Sequence, residues 1–425
     1  MGQKPEVIDI TGVAAGGAGV GRLSDGRVTF VHRTAPGDRV EVRVTESRRR
    51  WARSRLVRVL ASGPERRVAP CPHYRRCGGC TIEHLSYEGQ LAIKARLVAD
   101  ALRRIGGLET AEPTVVPSPL EFRYRNRVSF ALRRQDGGVV AGFRELERPD
   151  RVLDMGGECL LPEEAVARSW DLLRSAWGTA AHRLPSGEEL RLTLRAVADG
   201  GVTLLVDGGY GPGRPDDLVA SVPPLRSVWH RPVAADTYRL LAGDQVVHEW
   251  WGGEEVRVTE DVFLQVNRSA AALLEAHVME LAFAAEPARV LDAYCGVGLY
   301  SRRLARAGVE VVGIEAHPGA VAEARRGAPG ARIMEGTVEA LMEQALPVDV
   351  AILNPPRAGL DRAVVGGLAA QPPARLLYVS CDPATLARDL GRLESEYRLV
   401  GVWSFDLFPQ TAHVETVVEL SCATT

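Results

Sequence analysis

The chain is 425 residues long, too long for one ordinary core, so two or three domains are expected. A composition of 46% hydrophobic and 25% charged residues, with no long apolar run and no apolar stretch behind Met1, argues against a membrane span and a secretory leader; the cytoplasm is the expected compartment. The net charge of −2 hides an asymmetry: residues 1–70 hold 14 Lys/Arg against 7 Asp/Glu, which suits a polyanionic partner or, more blandly, a solvated basic face. Seven cysteines, an odd number, speak for metal binding or catalysis rather than a disulfide framework.

In chain order, Glu6–Thr11, Val28–His32, Arg39–Glu46 and Trp51–Leu60 read as short β-branched strands divided by Gly16-Gly17, Asp25-Gly26 and Pro36-Gly37. About sixty residues of this kind suit a five-stranded oligonucleotide-binding barrel. The basic run Arg48–Arg55 surrounds Trp51, which could stack on a base or close the barrel core. A cysteine cluster at 71–80 follows, then an amphipathic helix over Tyr87–Ile105 stopped by Gly106-Gly107. Residues 122–255 show strand pairs separated by Asp136-Gly137-Gly138, Asp199-Gly200-Gly201 and Asp207-Gly208-Gly209, interrupted by one helix near Pro162–Trp177. From about residue 256, strands alternate with helices, which implies a parallel, doubly wound sheet with ligands at the carboxyl ends of its strands. The expected division is 1–67, 68–255 and 256–425.

Five motifs carry chemistry. The strand Val290–Ala293 runs into Gly296-Val297-Gly298, and a second strand ends in Glu315; the glycines admit a ligand to the backbone and the acid suits a ribose diol. With no third glycine, the pair fits S-adenosylmethionine better than a dinucleotide. Asn354-Pro355-Pro356-Arg357 is a rigid loop that fixes the side chain before its prolines. Cys381, in Ser380-Cys381-Asp382-Pro383, sits between a strand and a helix whose N-terminus should lower the thiol pKa; the bland alternative is a small buried apolar residue. His413 and Glu415 alternate along an extended segment and would face the same side, and either could be a general base or a surface residue. Cys71, Cys77, Cys80 and the distant Cys159 make a metal or iron–sulfur site plausible, although the second close pair of a zinc ribbon is missing.

Taken together these residues resemble, over nearly the full length, the RNA uracil-5-methyltransferases of the RumA type with an N-terminal TRAM domain. Gly19-Val20-Gly21-Arg22 and Ala35-Pro36-Gly37-Asp38 look like the TRAM barrel, and Tyr124-Arg125-Asn126-Arg127 and Phe263-Leu264-Gln265-Val266-Asn267 like two further signatures. The resemblance implies a Rossmann-like α/β methyltransferase domain, an OB-fold barrel, and a central α+β domain carrying an iron–sulfur site. It implies that Gln265, Tyr294, Glu315 and Asn354 line the cofactor and base pocket, that Cys381 is the nucleophile and Glu415 the base, and that Cys71, Cys77, Cys80 and Cys159 hold a 4Fe–4S cluster. The implied substrate is a uridine in RNA, 23S ribosomal RNA favoured over transfer RNA, and a monomer is expected. Two positions depart from the family pattern: Asn354 stands where Asp is usual, and Thr337 where methyltransferases often carry an acid facing adenine.

The chemistry explains the residue types. Uracil C5 is a poor nucleophile until a thiolate adds to C6; a base must then remove the C5 proton so that the thiolate can leave. Two rivals follow from the same motifs. Asn-Pro-Pro also marks enzymes that methylate exocyclic amines, which need no Ser-Cys-Asp-Pro. A non-catalytic RNA-binding or redox-sensing homologue would keep the fold and tolerate Asn354.

Overall fold

A computed structural model describes residues 4–135, 138–258 and 262–423. The expected turn at Asp136-Gly137 lies outside the described residues.

The first five strands, β1 (Glu6–Val13), β2 (Gly19–Arg22), β3 (Val28–Val31), β4 (Arg39–Ser47) and β5 (Trp51–Ala61), close a barrel in the order β1-β2-β3-β5-β4. Alternation puts Ile8, Ile10, Val31, Val40, Val42 and Ala52 inside. Strand β2 has almost none of the composition of a strand because the chains pass too closely there: a Cβ on Gly19 would lie 2.0 Å from the Thr34 hydroxyl. Trp51 is not part of that core. It is half-buried, edge-on to Phe30 at 6.2 Å, with the Arg53 guanidinium 5.5 Å from its ring.

Helix α1 (Tyr87–Gly106) is capped by the Ser86 hydroxyl, which accepts from Gly89 N–H, and ends at Gly107 in the left-handed conformation. It packs with Val98 and Leu102 on the C-terminal sheet, in one core with Leu376 and Leu386. The two-residue strand β6 (Val115–Val116) joins the same sheet. The central sheet has the order β13-β12-β11-β10-β7-β8-β9, from β7 (Arg127–Gln135), β8 (Gly138–Arg144), β9 (Val152–Asp154), β10 (Glu189–Ala196), β11 (Val202–Asp207), β12 (Leu225–Arg231) and β13 (Arg239–Gly243). Its neighbours are antiparallel except β11 and β12, which α3 (Pro215–Ser221) connects. Helix α2 (Glu164–Ala176) covers one face, with Trp170 stacked on Phe130 at 3.9 Å. The single-helix expectation for this region misses α3, whose seven residues are too few for a periodic pattern. A hairpin, β14 (Val247–Trp251) and β15 (Glu254–Val258), follows.

The C-terminal elements are α4 (Arg268–Ala284), β16 (Arg289–Ala293), α5 (Leu299–Arg306), β17 (Glu310–Glu315), α6 (Pro318–Gly327), β18 (Arg332–Glu335), α7 (Val338–Ala345), β19 (Val350–Leu353), α8 (Arg362–Ala370), β20 (Arg375–Ser380), α9 (Pro383–Leu393), β21 (Tyr397–Phe405) and β22 (Glu415–Cys422). The sheet order is β18-β17-β16-β19-β20-β22-β21-β6. The wholly parallel sheet that alternation implies is corrected at one edge: β22 inserts antiparallel between β20 and β21, because β21 and β22 follow each other without a crossover helix. That insertion brings Glu415, first residue of β22, beside the end of β20.

Among the described residues no helix is long and apolar enough to cross a membrane. Helix α1 also buries two polar side chains, Gln90 and Lys94, that a purely apolar stripe would not include. Lys94 Nζ pairs with Asp406 at 2.5 Å, both side chains fully buried, and also donates to the Phe408 carbonyl at 3.1 Å. Lys94→Met leaves buried Asp406 without its ion-pair partner and is expected to cost ~3–5 kcal/mol in urea unfolding; an unchanged midpoint would mean that the pair adds nothing to stability.

Candidate active site

The glycine loop after β16 is built for close approach. Tyr294 (φ 60°), Gly296 (φ 56°) and Gly298 (φ 77°) all lie at positive φ, and a Cβ on Gly298 would meet Ala324 at 3.0 Å. Glu315, at the end of β17, accepts from Gly296 N–H (2.9 Å) and His317 N–H (2.7 Å), so the acid lies against the loop. Asp292 accepts from the Ser301 N–H and hydroxyl (3.0 and 2.6 Å), and burial pushes its carboxyl up to about 7.

Gln265, Tyr294, Gly296 and Asn354 line one cleft. The Tyr294 hydroxyl donates to Glu339 at 3.3 Å on α7, whose N-cap is Thr337. Sequence reasoning had no signal for Glu275, on α4: it lines the same cleft, accepts from Trp251 Nε1 at 2.5 Å, and has its carboxyl raised to about 7 by burial. The two distant signatures meet here. Asn126 N–H donates to the Val266 carbonyl (2.9 Å) and Asn126 Nδ2 to the Gln265 carbonyl (3.1 Å), while Asn267 caps α4 and donates to the Leu407 carbonyl at 3.2 Å. Their asparagines thus bind backbone to backbone around the cleft.

The Asn354 loop is held by α9. Asp389, fully buried, accepts from Leu360 N–H (2.8 Å) and the Tyr378 hydroxyl (2.9 Å), and Arg388 donates to the Ala358 carbonyl at 2.7 Å. Cys381 stands half-buried between β20 and α9. Its pKa is raised, against the lowering expected from the helix terminus. Burial is the main cause and the nearby Glu415 the next. The first N–H groups of α9 are taken by Asp382, which accepts from Ala384 and Thr385 at 2.9 Å each and turns its own charge toward the thiol. The nearby Arg357 guanidinium opposes this, pulling the thiol pKa down. Arg357 was visible in the Asn-Pro-Pro loop, but nothing in the sequence aimed it at the thiol.

Glu415 is buried, and burial pushes its carboxyl up to about 8, with Arg357 pulling the other way. His413 is exposed and lies ahead of β22, so the two do not face the same side as the alternation suggests: Glu415 is buried, and its charge acts on Cys381.

The four cysteines converge although 88 positions separate the first from the last. Cys71, Cys77, Cys80 and Cys159 line one cavity of about 450 Å³, which Arg125, Arg127 and Arg357 also line. Burial raises the pKa of each thiol. Among the described residues, no group of three or more His, Cys, Asp or Glu side chains is arranged to hold a single metal ion.

Comparison with known proteins gives three family matches: a tRNA (uracil-5-)-methyltransferase model over residues 339–423, a TRAM domain over 4–57 and a methyltransferase domain over 290–359. An uncharacterised RNA methyltransferase of Gloeobacter violaceus is 37% identical, with 97% of this chain and 95% of the relative covered. One of Nitratidesulfovibrio vulgaris is 35% identical over 97% and 95%. The crystal structure of the Pyrococcus abyssi tRNA (uracil-54, C5)-methyltransferase, in complex with S-adenosyl-L-homocysteine, superposes with a TM-score of 0.74 at 27% identity, covering 98% of this chain and all of that one.

Proposed function

The chain belongs to the RNA uracil-5-methyltransferase family with an N-terminal TRAM domain, as an S-adenosylmethionine-dependent RNA (uracil-C5)-methyltransferase, and from that premise we propose that it works through a covalent Cys381–C6 adduct resolved by Glu415. The observation that carries this reading is the meeting of Cys381, Glu415 and Arg357 at the carboxyl ends of β19 and β20, beside the cleft lined by Gln265, Tyr294 and Asn354.

In the proposed reaction Arg357 favours the thiolate, and Cys381 adds to uracil C6, which turns C5 into a nucleophile. S-adenosylmethionine supplies the methyl group from its sulfonium; Glu315 suits the ribose diol and Tyr294, Gln265 and Asn354 the remaining walls. Asn354, in place of an acid, still accepts from uracil N3–H and donates to O4. Glu415 takes the C5 proton, the Cys381–C6 bond breaks, and the aromatic ring returns. An amine-directed use of the Asn354 loop has no need of a thiol and an acid enclosed together.

We further propose that Cys71, Cys77, Cys80 and Cys159 hold a 4Fe–4S cluster. What supports this reading is that the four thiols line one cavity, with thiolate the usual ligand of such a cluster. Buried thiols that raise one another's pKa also need a cationic partner to ionise. Methyl transfer itself requires no electron, so the proposed role is structural.

The proposed substrate is ribosomal RNA, which the family resemblance of the TRAM barrel and cysteine quartet favours, and the proposed enzyme is a cytoplasmic monomer. The likeness to an enzyme acting on tRNA uracil-54 supports the alternative. Mass spectrometry of both RNAs from a deletion strain separates them: a 5-methyluridine missing from ribosomal RNA is expected, and one missing only from transfer RNA overturns that choice. RNA carrying 5-fluorouracil should give a stable adduct through Cys381, since fluorine cannot leave as a proton; no adduct would end the covalent reading.

A further inference from the structure

Among the described residues no hydrogen bond or ion pair holds the Glu415 carboxylate; Arg357 acts on it through charge alone. Its position is therefore set by its backbone, and the backbone just ahead of it is tied down heavily at Gln410. The Gln410 carbonyl accepts from Thr81 and Ile82 N–H (3.0 and 3.1 Å), directly after Cys80. Its N–H donates to Gln90 Oε1 at 2.8 Å, and its Oε1 accepts from Gln90 Nε2 (2.9 Å) and Arg67 Nη2 (3.1 Å). Its Nε2 donates to the Glu121 carbonyl at 3.3 Å.

Gln410 is fully buried at φ 71°. A non-glycine residue is strained there, a state sustained only where surrounding bonds over-determine it. Its neighbours are fixed in the same way: the Tyr124 hydroxyl donates to the Pro409 carbonyl (2.9 Å), and Ala412 N–H donates to Thr81 Oγ1 (3.2 Å).

We propose that Gln410 is a positioning residue for the proton-removal step, setting the base by locking the loop ahead of β22 to α1 and to the cysteine loop. This rests on Glu415 being the base, as argued above. The prediction is selective. Cys381 is delivered by β20 and α9, which the Gln410 bonds do not touch, so loosening Gln410 should spare adduct formation and slow its resolution.

The test compares wild type, Gln410→Ala, Gln90→Ala, the double variant and Glu415→Gln as cofactor-loaded full-length enzymes on unmodified RNA. Adduct is read on denaturing gels and product in single turnovers. Adduct should form at the wild-type rate with unchanged KM for RNA, while its release slows by about 100-fold, the scale of a misplacement of about 1 Å. The double variant should slow release by less than the product of the two single effects, because both cut the Gln90 Nε2–Gln410 Oε1 bond. Gln90→Ala keeps glutamine at the left-handed position 410 while removing the acceptor of its N–H, and carries the test should Gln410→Ala not fold. Wild-type release in Gln90→Ala, or equal losses of adduct formation and release, overturns the inference. If Glu415→Gln also accumulates no adduct, the base assignment itself has failed; if it does accumulate adduct, the failure belongs to Gln410 alone.

Discussion

Cys381→Ser is expected to abolish methylation, with single-turnover product formation down by at least ~10⁴-fold, because a serine hydroxyl cannot supply the anion that C6 must receive. The loss should be chemical rather than structural. Cys381 is half-buried and belongs to none of the hydrophobic cores, so the variant should unfold within ~0.5 kcal/mol of wild type. RNA and cofactor should still bind, while the 5-fluorouracil adduct disappears. The wild-type thiol, raised by burial and by Glu415, should attack faster as pH rises above neutrality. Full-speed methylation by the serine variant would remove the covalent mechanism.

Glu415→Gln is expected to stop the reaction one step later. The thiol and the methyl donor are intact, so methylated RNA should accumulate bound to Cys381, with release slowed by about 10²–10⁴-fold, the usual contribution of a positioned base. An acid raised to about 8 from an ordinary 4.5 holds its proton at neutral pH, so wild-type release should accelerate with pH through about 8. The stability consequence has the opposite sign. Between those two values the folded chain keeps a proton that the unfolded chain gives up, so stability falls as pH rises across that window. Glutamine removes this burden, and the variant should be more resistant to urea than wild type at pH 9 and nearly equal to it at pH 4. A variant that turns over normally, or one less stable than wild type at high pH, would contradict the buried-base reading.

The features legible along the chain were local or periodic. The Gly-rich loop after Val290–Ala293, Cys381 between a strand and a helix, the Asn354 loop and the start and stop of α1 are all set by neighbours along the chain: glycine and proline restrict their own backbone, and Ser86 and Gly107 cap their own helix. Motif order also sufficed for the family. Strand β2 escaped because its glycines answer to Thr34 and Asp9 across the barrel rather than to strand propensity.

Tertiary structure decided everything that depends on charge and enclosure. Gln90 and Lys94 look like the polar side of an amphipathic helix, yet they are buried because the loop at 406–410 supplies their partners from more than 300 positions away. The pKa of Cys381 could be guessed from the following helix, but its sign was set by burial, by Glu415 and by the use Asp382 makes of the helix N–H groups. That Glu415 is enclosed while His413, two residues away, is exposed came from β22 entering the sheet antiparallel and starting at Glu415. Desolvation and Coulomb energies fall on whichever groups the fold brings together, and that proximity is not encoded in spacing along the chain.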